Sequence, residues 1–82
     1  MYIFYSDPGH AWLAVKRKEL IKLGILDKIT HYSYQKGGTV YLEEDDDAGL
    51  FINAKKKIGE VVTYNESYLE CTPIRNYESF NK

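Results

Sequence analysis

The sequence predicts an α+β domain: a small, mostly antiparallel sheet with two helices on one face, in the order β-β-α-β-β-α-β. Three observations predict it. Short runs of β-branched and aromatic residues are joined by tight-turn signals. One segment, Asp46 to Ile58, carries apolar residues at helical spacing. The Lys16 to Leu23 stretch holds helix formers and is stopped by Gly24.

Taken in order, Tyr2-Ile3-Phe4-Tyr5 is rich in strand formers and ends at Ser6-Asp7-Pro8-Gly9. That turn signal joins it to a second strand, His10 to Val15, as a hairpin. The first helix follows, with Leu20 and Leu23 inward and Ile25 closing over its end. Ile25 to Ile29 reads as an irregular connection. His31 to Gln35 and Thr39 to Glu43 form a second hairpin around Lys36-Gly37-Gly38, with Tyr32 and Tyr34 sharing one face and Val40 and Leu42 sharing another.

In the second helix, Leu50, Phe51, Ala54 and Ile58 make one apolar stripe. Asp45, Asp46 and Asp47 stand at its start, Lys55, Lys56 and Lys57 fill its last turn, and Gly59 stops it. Each charge sits at the favourable end of the helix dipole. Glu60 to Tyr64 reads as a further strand. Thr72-Pro73-Ile74-Arg75-Asn76 suits a helical turn with Pro at its first position, and Tyr77 and Phe80 pin the tail to the body.

The 82 residues make one domain, with no internal repeat or linker. A chain of this size holds one core and no deep enclosed cleft, which argues against a self-contained multistep enzyme. No apolar run is long enough for a membrane span. The start of the chain lacks the pattern of a secretory signal, and the single cysteine, Cys71, excludes an internal disulfide; both suggest a cytoplasmic setting. Eleven basic and twelve acidic side chains leave a net charge of -1, against the basic excess expected of a general nucleic-acid binder.

The acidic run Glu43-Glu44-Asp45-Asp46-Asp47 is the most conspicuous feature. It admits three readings: helix capping with a solvated turn, an acidic face for a basic partner, or a divalent-cation site. Carboxylates bind such cations, but the run lacks the spacing of an EF-hand loop. The eight tyrosines exceed what a small core buries with satisfied hydroxyls, which supports a protein-binding surface. Tyr32, Tyr34 and Tyr41 are the anchors expected there.

Asp7 and His10 bring a carboxylate and an imidazole together, a base or metal-ligand pairing in principle. No nucleophile accompanies them, and an Asp capping its own turn explains the pair. The triplets Lys16-Arg17-Lys18 and Lys55-Lys56-Lys57 would meet phosphates if they faced one side. Trp12 reads as core, and Cys71 has no activating neighbour. No cofactor or metal is expected.

Asp7-Pro8-Gly9-His10-Ala11-Trp12-Leu13, Tyr32-Ser33-Tyr34, Val40-Tyr41-Leu42-Glu43-Glu44-Asp45, Asp47-Ala48-Gly49-Leu50-Phe51 and Ile74-Arg75-Asn76-Tyr77 together resemble a family of very small proteins carried by bacteriophages, prophages and plasmids. The resemblance spans most of the chain. Ala11 stands where that family typically has Gly, which leaves the turn intact. The blocks define no catalytic role. The resemblance implies a setting in which small accessory proteins bind and block host proteins, including CRISPR and restriction systems. The resulting expectation is a non-enzymatic inhibitor that covers a basic, nucleic-acid-binding surface of a host protein, for example a CRISPR effector subunit. Its contacts would be Glu43 to Asp47 with Tyr32, Tyr34 and Tyr41. The alternative is a small nucleic-acid-binding regulator that uses the basic triplets.

Overall fold

The computed structural model describes residues 1–81. Strands β1 (Tyr2–Ser6) and β2 (Ala11–Lys16) form the first hairpin, and α1 (Arg17–Lys22) follows directly. Strands β3 (Tyr34–Lys36) and β4 (Thr39–Glu43) form the second hairpin, followed by α2 (Asp47–Lys57), β5 (Tyr64–Tyr68) and β6 (Glu78–Ser79). Short 3₁₀ turns occupy Leu26–Lys28 and Pro73–Asn76. The six strands make one sheet in the order β5-β1-β2-β4-β3-β6. All neighbours are antiparallel except β1 and β5. This is the expected α+β architecture.

The pleat separates two faces. Leu13, Val15, Val40 and Leu42 point to the helices and are buried with Leu20 of α1 and Ala48 and Phe51 of α2. Leu13 opposes Leu42 and Val15 opposes Val40, so the central ladder stacks core residues in register. Tyr2 caps this core by meeting Phe51 edge-on, ring centroids 5.4 Å apart. Phe80, from the tail, is buried in the same cluster. Ile3, Tyr5, Trp12, Ala14, Tyr34 and Tyr41 alternate to the other face, opposite α1 and α2.

Both helices end as their glycines dictate. Gly24 has φ +73°, a conformation costly for a side-chain-bearing residue. Its N–H bonds the Ile21 carbonyl and the Ile25 N–H bonds that of Leu20, both at 3.0 Å. This Schellman closure drops Ile25 into the core beside Leu20. At the end of α2, Gly59 and Glu60 make the same two bonds to Lys56 and Lys55.

Three expectations need correction. The inner face of α2 is Asp47, Ala48 and Phe51, while Leu50 and Ala54 are half-buried and Ile58 is exposed. The apolar stripe is therefore rotated toward the start of the helix, where a carboxylate is buried. The strand expected at Glu60–Tyr64 lies at Tyr64–Tyr68. The Glu60 N–H is spent closing α2, so pairing with β1 begins only where the Tyr2 N–H reaches the Thr63 carbonyl at 3.1 Å. The strand expected at His31–Gln35 is confined to Tyr34–Lys36, because residues Thr30 to Ser33 form a turn closed by the Ser33 N–H on the Thr30 carbonyl.

Candidate functional site

The junction of β4 and α2 is held by two side chains that sequence reasoning assigned otherwise. Glu43 turns its carboxylate back onto its own loop and accepts the N–H groups of Asp45 (3.0 Å) and Asp46 (3.1 Å). Asp46, at the N-cap position, makes no side-chain capping bond. The first acid of the run thus closes the loop before the helix, while the helix start itself receives no side-chain cap.

Asp47 does not belong to an exposed acidic footprint. It is 2% exposed. Its Oδ2 accepts the Thr30 N–H at 3.0 Å, the Thr30 hydroxyl at 2.8 Å and the Ser33 hydroxyl. Ser33, fully buried, accepts the Glu43 N–H through the same hydroxyl oxygen at 2.9 Å. A buried carboxylate needs such partners. The network ties the Thr30–Ser33 turn, which carries Tyr32, to the acidic loop.

A concavity of about 330 Å³ opens above this network, lined by Tyr32, Tyr34, Glu43, Asp45 and Asp46 with His10, Trp12 and Arg75. Five of the eight residues expected at a partner surface are thus brought together. Glu44 is exposed on the same loop but does not line the concavity. Tyr41 opposes Tyr34 across the ladder, yet its ring packs with Tyr5 and Tyr77, at centroid distances of 6.1 and 5.2 Å, outside the concavity. Burial among these rings raises the Tyr41 phenol above its ordinary pKa. Tyr32 is 64% exposed and stacks on His31 at 4.6 Å.

The floor is Trp12, buried in β2, with Tyr34 at 6.1 Å and His10 at 5.9 Å between ring centroids. The Arg75 guanidinium lies 5.8 Å from the Trp12 ring centre. Arg75 is fixed by Asp7: Nε donates to Oδ2 at 2.6 Å and Nη2 to Oδ1 at 2.8 Å. Asp7 also caps its own turn, as expected, accepting the N–H groups of Gly9 (3.0 Å) and His10 (2.9 Å). It is the His10 backbone, then, that meets this carboxylate. The Arg75 bonds chiefly, with those two N–H groups, hold the Asp7 carboxyl well below the usual carboxylate range. A methyl group on Gly9 would come to 3.0 Å from Arg75 Nη2, so the guanidinium would have to give by a few tenths of an ångström to admit it. Arg75 was missed as a site residue because 68 positions separate it from Asp7.

An aromatic floor under a carboxylate rim is an environment for a cation. Arg75 lies over Trp12 with Asp7, outside that rim, as its carboxylate partner. Exposed carboxylates of Asp45 and Asp46 stand across the same opening. Among the described residues, no group of three or more His, Cys, Asp or Glu side chains is placed to hold a metal ion, and no helix is long and apolar enough to cross a membrane.

The basic triplets come together only in part. Arg17 donates to Gln35 Oε1 and the Asn81 carbonyl, both at 3.2 Å, and lies over Phe80. Lys16 ends β2. Lys18, Lys55 and Lys57 line a separate cleft between the helices. The two triplets thus meet at that cleft through Lys18, Lys55 and Lys57.

No family model, no curated protein and no solved structure matches the chain.

Proposed function

We propose that the protein is a non-enzymatic binding module whose concavity receives a basic side chain of a protein partner. The observation that carries this reading is the convergence of Tyr32 and Tyr34 with Glu43, Asp45 and Asp46 over Trp12. The aromatic walls offer contact area at low entropic cost, and the carboxylates select for a cation and speed encounter. The resemblance to small proteins of phages and plasmids supplies the setting: a cytoplasmic host protein with a basic, nucleic-acid-binding surface, with CRISPR effectors the first class to test.

The test is affinity capture from host lysate with the wild type and with the triple substitution Glu44→Gln, Asp45→Asn, Asp46→Asn. Glu43 is left intact because it holds the loop. A basic protein retained by the wild type and lost by the variant is the expected result. The same retained set for both, or no basic protein at all, would overturn the reading. The non-enzymatic part has its own check. Titration of the retained partner should end at a fixed molar ratio without added metal, and His10→Ala should leave that ratio unchanged. Turnover by substoichiometric protein, abolished by His10→Ala, would contradict it.

A further inference from the structure

A cleft of about 850 Å³ lies between α1 and α2, away from the acidic loop. Leu23, Ile25, Leu50, Ala54 and Ile58 supply its apolar lining. Five lysines and two glutamates surround them. Lys55 is internally neutralised, at 3.1 Å from Glu19 and 2.8 Å from Glu60. Lys18, Lys22, Lys28 and Lys57 make no ion pair among the described residues, and all four are exposed. A chain of net charge -1 therefore concentrates positive charge around one apolar depression.

We infer that this cleft is a second binding surface, whose occupant is an acidic amphipathic helix of a protein partner. The lysines call for an anionic partner, and the shape and lining narrow the choice. A nucleic-acid backbone would cover the apolar floor with phosphate and sugar, and the cleft has no aromatic side chain on which a base could stack. A bilayer surface is met by a protruding apolar face, whereas this one is recessed between helices. A helix ridge fits such a recess: apolar side chains at i, i+3, i+4 and i+7 enter the floor, and flanking carboxylates reach the lysines. Ile58, 58% exposed at the end of α2, is apolar surface such a ridge would cover. The inference is independent of the acidic concavity.

The experiment measures fluorescence anisotropy of a labelled peptide with Leu at the a and d positions and Glu at e and g of each heptad, which discourages self-pairing. The same peptide with Lys for Glu, labelled oligothymidylate and phosphatidylserine vesicles complete the set. The wild-type protein should bind the Glu peptide, more weakly as salt rises, in preference to the other three. The Lys22→Glu, Lys57→Glu protein should lose about tenfold in affinity for the Glu peptide and gain for the Lys peptide. That gain also shows that the variant is folded. Ile58→Asp should weaken the Glu peptide without creating affinity for the Lys peptide. The triple substitution in the acidic loop should change nothing. Absence of Glu-peptide binding, equal binding by wild type and charge-reversed protein, or a preference for oligothymidylate or vesicles would overturn the inference.

Discussion

Asp7 does two jobs at once. One oxygen organises the turn between β1 and β2, and both hold Arg75 over Trp12. Its folded-state pKa is depressed, so its stabilising effect is full above the unfolded-state value of about 3.9 and is lost as pH falls toward the folded-state value. Asp7→Asn should therefore lower the melting temperature at neutral pH, and the gap to wild type should close as both are melted at successively lower pH below about 4. A gap that stays constant down to pH 2 would show that the pair does not behave this way. The turn at Asp7 was legible because its signal is local. Its partner was not, because nothing near Arg75 in the chain announces a buried carboxylate on another hairpin.

At the scale of elements, α2 links packing to the site. Its first turn buries Asp47 under the acidic loop, and one turn later Phe51, fully buried, meets Tyr2 and the central strands. Phe51→Ala should cost roughly 3–5 kcal/mol, a large part of the stability of so small a domain. A thermal melt that barely moves would show that α2 does not anchor the sheet. Asp47→Ala should also destabilise, since Thr30 and Ser33 would lose their common acceptor; unchanged stability would contradict that network. Periodicity found α2 and the β3–β4 hairpin because each depends on near neighbours. It misplaced β5, whose register is set by where the chain leaves Gly59 and meets β1. It also counted Asp47 with the exposed acids, because charge runs suggest solvent and the buried acceptor role needs Thr30 and Ser33 from another segment.

At the scale of the whole molecule, α2 spans about 16 Å between a loop of carboxylates at its start and lysines at its end. The net charge of -1 thus hides two separated surfaces of opposite sign. Composition showed the runs; only the fold shows that Tyr32 and Tyr34 join the acids while Lys18 of one basic triplet meets Lys55 and Lys57 of the other at the cleft between the helices. The central claim is that the acidic, aromatic-floored concavity receives a basic partner. The most direct test is the association rate of the captured partner with wild type and with Glu44→Gln, Asp45→Asn, Asp46→Asn, measured from low to high salt. Screening shortens the Debye length from about 10 Å at 0.1 M to about 3 Å at 1 M. The wild-type rate should fall steeply over that range, and the variant should associate slowly at low salt with little dependence on it. Equal rates for the two proteins at low salt would contradict the claim and place the partner on another surface.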